Sequence, residues 1–322
     1  MKRFCLIFLA LALLLGMTPA LWGCDGANHP AADNGGITVA VTSPAAHALV
    51  SPLTENYLAD GGSHVVTVIP LYKPGQDIHS FEPTAKDIIS LAGADVVVCT
   101  GSEAWLDSAL KSSGNTAARV VSMMEACDIH AAEHDHDHDH SSEDSTCALI
   151  GNDEHVWLAV DYATLIVTAV TNTLKEADPD NASIWDKHGE AFKTELTALN
   201  AEFHDAVRSS AKKTVVVADR HPFVYLFAHL GLDCVAAFPG CSSETSASFE
   251  TQTKLIEAVK SGELAYIFVM EGSDRKVAEV VAAETGAEIL TLNSMQVVSD
   301  YGSIDYLQVM RSNLENLKKA LQ

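Results

Sequence analysis

Basic residues are scarce in this chain of 322 residues, which has 20 Lys and Arg against 43 Asp and Glu and a formal net charge of −23. This acidic excess argues against nucleic acid as a partner, because phosphates would be repelled rather than neutralised. The sequence also lacks a Gly-rich phosphate loop and a nucleophile elbow with Ser, His and Asp. We therefore predict no enzymatic activity, and the charge suits a chain that collects cations.

The N-terminal segment has the layout of a secretory signal. Two basic residues precede an apolar run over residues 4–15, and the chain then reads Leu-Trp-Gly-Cys up to Cys24. We expect residues 1–23 to be a signal peptide; the alternative is an uncleaved anchor over residues 4–23, since about 20 apolar residues cross a bilayer. The tetrapeptide resembles a lipobox except at Trp22. We therefore expect Cys24 to carry a lipid and residues 24–36 to form a polar tether. The signal and the lipid together predict a membrane-anchored lipoprotein or a periplasmic protein.

An exported chain permits disulfides. Cys127 with Cys147 would close the base of one loop, and Cys234 with Cys241 would close another. Cys99 ends an apolar run and is expected to be a small buried side chain.

Short β-branched runs alternate with helical patterns in two sets of four. The runs cover residues 37–42, 65–71, 95–99 and 119–122, and then 214–218, 234–238, 265–269 and 288–292. This alternation predicts an α/β fold of two lobes, each with a parallel four-stranded sheet flanked by helices. We assign the lobes to residues 37–178 and 211–322.

Between the two sets, residues 179–210 carry apolar side chains at helical spacing after Asp178-Pro179. About 30 helical residues would span roughly 45 Å, enough for a lobe-to-lobe connection. A single long helix there would be rigid and would limit domain closure.

Residues 130–145 break this pattern. His and Asp alternate and place imidazoles at His134, His136, His138 and His140, with no apolar periodicity. We expect a disordered surface loop. An extended chain would point the four rings to one side, where they could hold metal weakly; the alternative is a solvated acidic insertion.

Four residues are candidate metal ligands. His79 follows the second predicted strand and His221 follows the first strand of the second set, so both are expected at the cleft where the strands end. His155 precedes a predicted helix, and Asp300 lies in a loop before the last helix. Neutral imidazole and carboxylate bind divalent metals such as zinc.

Three motifs carry a family resemblance. Pro-Gly-Gln-Asp-Ile-His-Ser-Phe-Glu-Pro-Thr around His79, Asp-Glu-His-Val-Trp-Leu around His155 and His-Pro-Phe-Val-Tyr-Leu-Phe from His221 resemble, in that order, the cluster A-I metal-binding proteins of ABC transporters, of the ZnuA and TroA type. The resemblance covers residues 37 to the end. It implies three imidazole donors with a carboxylate, here Asp300, in the fourth position of an interlobe site. Gly302 follows Asp300 one residue sooner than usual, and Ile78 replaces a carboxylate found in some zinc members.

The resemblance also implies the cargo and the partners. Three nitrogens and one oxygen suit zinc, whereas manganese prefers shells richer in oxygen. We expect a monomer that delivers zinc to a membrane permease, is tethered by its lipid, and uses the His-rich loop as an auxiliary site. The alternatives are a manganese-binding member of the family, a metal-dependent surface adhesin, and a metalloenzyme with Glu154 or Glu271 as general base.

Overall fold

The computed structural model describes residues 36–130, 153–240, 247–302 and 304–322. The predictions for Cys24, Cys147, Cys241 and the four imidazoles of the His-rich loop therefore lie outside the described residues. Within the described ranges, no helix has the length and apolar character needed to cross a membrane.

The N-terminal half contains one parallel sheet. Its strands are β1 (Ile37–Val41), β2 (Val66–Pro70), β3 (Val96–Cys99) and β4 (Arg119–Ser122), in the order β2-β1-β3-β4. Val39 pairs with Val68 on one side and Val96 on the other. β1 and β3 are β-branched and almost entirely buried, because helices cover both faces of a parallel sheet.

The C-terminal half repeats this arrangement. Its strands are β5 (Thr214–His221), β6 (Asp233–Pro239), β7 (Tyr266–Met270) and β8 (Glu288–Leu292), in the order β6-β5-β7-β8, all parallel. The predicted two-lobe α/β fold is thus confirmed. Most strand ends lie within one residue of the prediction, and the largest difference is at β5, which continues past a register shift after Val217 and ends at His221 itself.

Ten α-helices are described. They are α1 (Pro44–Thr54), α2 (Ala85–Ala92), α3 (Leu106–Ser113), α4 (Met123–Ala126), α5 (Val160–Ala177), α6 (Ala182–Arg208), α7 (Val224–Leu230), α8 (Phe249–Ser261), α9 (Lys276–Thr285) and α10 (Tyr306–Ala320). Short 3-10 turns cover Ile78–Ser80, Val156–Leu158 and Pro179–Asn181. The first of these turns contains His79, and the second directly follows His155.

The long connection is a 3-10 turn followed by α6, whose 27 residues span about 40 Å. Phe192, Leu196 and Phe203 on its apolar stripe are buried in a core cluster that includes residues of both halves. Gly189 lets α6 approach α5 closely, since a Cβ there would meet the Thr171 hydroxyl at 2.6 Å. The helix is thus packed along its length, and the domain boundaries at 179 and 210 stay a prediction.

A buried carboxylate fastens the start of this connection. Asp178 accepts hydrogen bonds from the Tyr57 hydroxyl at 2.6 Å, the Trp185 indole at 2.9 Å and the Asn181 amide at 2.8 Å. The Tyr57 and Trp185 rings stack with centroids 4.5 Å apart. Because a buried carboxylate needs such donors, Asp178 ties the N-terminal lobe to the linking helix.

Candidate metal centre

His79 lies in the 3-10 turn that follows β2. Asp77 caps this turn by accepting the His79 backbone N–H at 3.1 Å. The imidazole remains about 29% exposed, so it faces the cleft rather than the core. The Arg220 guanidinium lies 3.3 Å from the Asp77 carboxylate, which links the turn to β5 of the other lobe.

His155 is buried just before the second 3-10 turn. One carboxylate oxygen of Asp153 accepts both the His155 backbone N–H at 2.9 Å and the ring Nδ1 at 2.8 Å. Since a carboxylate only accepts, Nδ1 carries the proton and Nε2 keeps its lone pair. The Trp157 ring packs against the imidazole with centroids 5.0 Å apart, so both position and tautomer of His155 are held.

Three candidate ligand atoms converge at this point. Atoms of His79, Glu154 and His155 all lie within 4.8 Å of one another, and no other such group of His, Cys, Asp and Glu occurs in the described ranges. His79 Nδ1 lies 3.0 Å from a Glu154 carboxylate oxygen. The imidazoles of His79 and His155 have centroids 5.7 Å apart. An imidazole pair with a carboxylate is a donor set for a divalent cation.

His221 reaches the same region from the other lobe. It is 3% exposed and stacks on Phe227 with centroids 5.3 Å apart. Burial lowers the pKa of His221 to about 4; the nearby Asp153 carboxylate opposes this effect and His155 adds to it. Nδ1 of His221 is buried, and none of the described residues hydrogen-bonds to it. A neutral buried imidazole with a lone pair to offer fits a metal ligand.

Asp300 is not a member of the group of His79, Glu154 and His155. It is exposed, and its carboxylate accepts the Gly302 N–H at 2.9 Å and the Ser299 hydroxyl at 3.2 Å. Its loop rests on the N-terminal lobe through the Tyr301 hydroxyl, which donates to the Tyr72 carbonyl at 3.1 Å. Asp300 is therefore not in the converging group, and its role as fourth ligand stays a prediction.

Two residues of the site were missed as ligand partners by sequence reasoning. From the sequence we considered Glu154 only as a general base, but this residue supplies the carboxylate of the group with His79 and His155. Its position next to His155 in the sequence could have indicated this role. Gln296 is fully buried, and its side-chain oxygen lies 3.0 Å from His79 Nε2. Its backbone N–H donates to the half-buried Glu271, whose carboxylate also accepts the Ser294 backbone N–H. No local pattern indicated Gln296.

Two of the described cysteines, Cys99 and Cys127, are buried. Cys99 is 3% exposed, as expected. Burial raises the pKa of Cys127 to about 12, and its thiol donates to the Tyr162 carbonyl at 3.8 Å. The partners Cys147 and Cys241 lie outside the described residues, so both disulfide pairings stay predictions.

Two parallel α/β lobes carry a candidate metal group of His79, Glu154 and His155, and His221 of the other lobe lies outside that group but close to His155. This arrangement is that of a metal-binding solute-binding protein. A family model described as ZnuA, zinc-uptake complex component A, periplasmic, matches residues 55–320. The chain belongs to this family, which is a family of solute-binding proteins and not of enzymes.

Individual relatives agree with this assignment. The high-affinity zinc uptake system protein ZnuA of Bacillus subtilis (strain 168) is 31% identical over 252 residues, which cover 76% of this chain and 77% of that protein. The zinc-binding lipoprotein AdcA of Streptococcus pneumoniae serotype 4 is 27% identical, over 76% of this chain and 49% of that protein. The chain thus spans about half the length of AdcA. The crystal structure of the metal-dependent lipoprotein YcdH from Bacillus subtilis matches with a TM-score of 0.70 and 25% identity, covering 88% of this chain and 99% of that one.

Proposed function

We propose that this protein binds zinc outside the cytoplasm and delivers it to the permease of an ABC transporter, without catalysing a reaction. The observation that supports this most is the convergence of His79, Glu154 and His155 within 4.8 Å beside the buried imidazole of His221. The relatives named for zinc uptake and zinc binding support the same cargo.

In this proposal, His79, His155 and His221 bind the ion, and a carboxylate completes the shell. Asp300 is the residue proposed for the fourth position, and Glu154 is the carboxylate already within reach of His79. Three imidazoles and one carboxylate favour zinc over manganese, which prefers oxygen-rich shells.

We also propose roles for the N-terminal residues, the two lobes and the His-rich loop. Residues 1–23 direct export, Cys24 carries the lipid, and the lobes 37–178 and 211–322 are joined by the helix at 179–210. His134, His136, His138 and His140 form the auxiliary low-affinity site. The protein acts as a monomer.

Competition titration of the mature protein with zinc and manganese tests the main claim. We expect zinc to bind more tightly than manganese, and His79→Ala to weaken zinc binding more than about 100-fold, since removing a ligand costs more than altering the partner of one. His204→Ala, an exposed imidazole on α6, is the matched control and should bind as wild type. Tighter manganese binding, or unchanged zinc affinity in His79→Ala, would reject the proposal.

A second pair of variants identifies the carboxylate ligand. If Asp300 closes over the ion, Asp300→Ala weakens zinc binding and Glu154→Gln changes it little. If Glu154 is the ligand, the order is reversed. Growth under zinc limitation of a strain from which the protein has been deleted reports delivery to the permease. We expect this growth to be impaired, and growth equal to that of the parent strain would contradict that step.

A further inference from the structure

A cavity of about 280 Å³ adjoins the candidate metal centre. It lies where β1 and β3 end, and His79 and Glu154 form part of its lining. The cavity is therefore continuous with the atoms that would bind the ion.

This space is much larger than a bare ion requires. At ~30 Å³ per water molecule, it equals the volume of about nine waters, which matches an organic molecule of about ten non-hydrogen atoms. It falls just below the range of about 300–1,000 Å³ typical of small-molecule pockets. An amino acid would fit it, whereas a metal ion alone would leave most of it to water.

The walls of the cavity differ in polarity. Ile78, Phe81 and Trp105 form an apolar side, where the rings of Phe81 and Trp105 meet edge to face with centroids 5.5 Å apart. Thr42 and Thr100 contribute buried hydroxyls on the polar side. An apolar wall with a few placed polar groups is the usual lining of a small-molecule site.

The charge of the lining selects among such molecules. The Glu103 carboxylate is held in place by the Thr42 hydroxyl, the Thr100 N–H at 2.8 Å and the Gly101 N–H at 2.9 Å. Glu154 adds a second carboxylate, and no Lys or Arg lines the cavity among the described residues. An anion would be repelled here unless a bound cation or its own amino group compensated its charge. A ligand with an ammonium group near Glu103 and a metal-binding group near His79 fits this distribution of charge.

We propose that the centre takes up its ion together with one small zwitterionic chelator of the amino-acid class. The chelator adds one nitrogen or oxygen donor of its own to the four donors of the chain, since zinc can expand from four to five ligands. Its body fills the cavity against Trp105. This inference rests on the proposed function, because it assigns a second ligand to the same metal centre.

Native mass spectrometry with zinc and L-histidine as the probe tests the proposal. We expect a complex of one chain, one zinc and one histidine, and zinc release about tenfold slower than without histidine. Ala104→Phe places a large ring at an exposed lining residue that is not a candidate ligand, and it should lose the histidine and the slower release while binding zinc alone as wild type. Ala117→Phe, an exposed alanine that does not line the cavity, is the matched control.

Two results would overturn the proposal. One is a wild-type spectrum with zinc alone at every histidine concentration, in which histidine only competes for the metal. The other is a ternary complex that Ala104→Phe retains unchanged, because the histidine would then bind outside the cavity. If the wild type bound no zinc even without histidine, the proposed function itself would fail, and this outcome differs from both.

Discussion

Replacing Asp153 with Asn tests how the metal centre is organised. One Asp153 oxygen accepts both the backbone N–H and the ring Nδ1 of His155, at 2.9 and 2.8 Å, and the carboxylate is mostly buried. The Asn oxygen can still accept one bond, but the negative charge that orients the ring and strengthens its lone pair is lost. The Tyr225 hydroxyl still donates to the Asp153 backbone carbonyl at 2.9 Å, so the segment itself should stay in place.

The expected loss follows from these contacts. Partners that orient a metal-binding imidazole typically contribute a factor of about 10–100 in metal affinity, or ~1.4–2.7 kcal/mol. Hydrogen bonds to charged groups contribute about 1.5–3 kcal/mol, which agrees with losing roughly one such bond here. We therefore expect Asp153→Asn to weaken zinc binding by about 10–100-fold.

Calorimetry in competition with a chelator of known affinity measures this loss. Asp186→Asn, an exposed carboxylate on α6 that pairs with Lys175, serves as the charge-matched control and should bind zinc as wild type. An Asp153→Asn affinity within twofold of wild type would refute the reasoning, since His155 would then need no orienting carboxylate.

Three further changes have predictable outcomes. His221→Gln should make the metal-free protein less sensitive to acid, because burial lowers the pKa of His221 from 6.5 to about 4. The unfolded chain therefore takes up this proton at a higher pH than the folded chain. The free energy of unfolding is at its full value above pH 6.5 and falls by about 3 kcal/mol as the pH drops to 4. Denaturant titrations at pH 7 and pH 4.5 should show the larger drop in wild type, and equal drops would contradict this. Asp178→Ala should lower the free energy of unfolding by about 3 kcal/mol because three buried donors lose their acceptor; thermal unfolding measures this, and zinc affinity should be unchanged. Deleting residues 134–140 should reduce the number of bound zinc ions and spare the tight one, and loss of the tight ion in elemental analysis would contradict the auxiliary role.

Most of the fold was predictable because its signals are local. The β-branched runs around Val39 and Val97 and the apolar stripe through Phe192 and Phe203 specify strands and a helix without reference to distant residues. The end of β5 was not predicted correctly, since Arg220 and His221 extend the strand by pairing with Phe238 and Pro239. Such pairing depends on a neighbouring strand rather than on the propensity of the segment itself.

The sequence by itself determined the two α/β lobes, the linking helix and the residue types able to bind a divalent ion, because short-range periodicity and side-chain chemistry carry that information. Only the tertiary structure decided which donors meet. Gln296 reaches His79 across 217 positions of chain, and Glu154 joins the imidazoles while Asp300 stays exposed on its loop. The physical reason is that a metal centre requires distances correct to tenths of an ångström, and the packing of two lobes sets those distances.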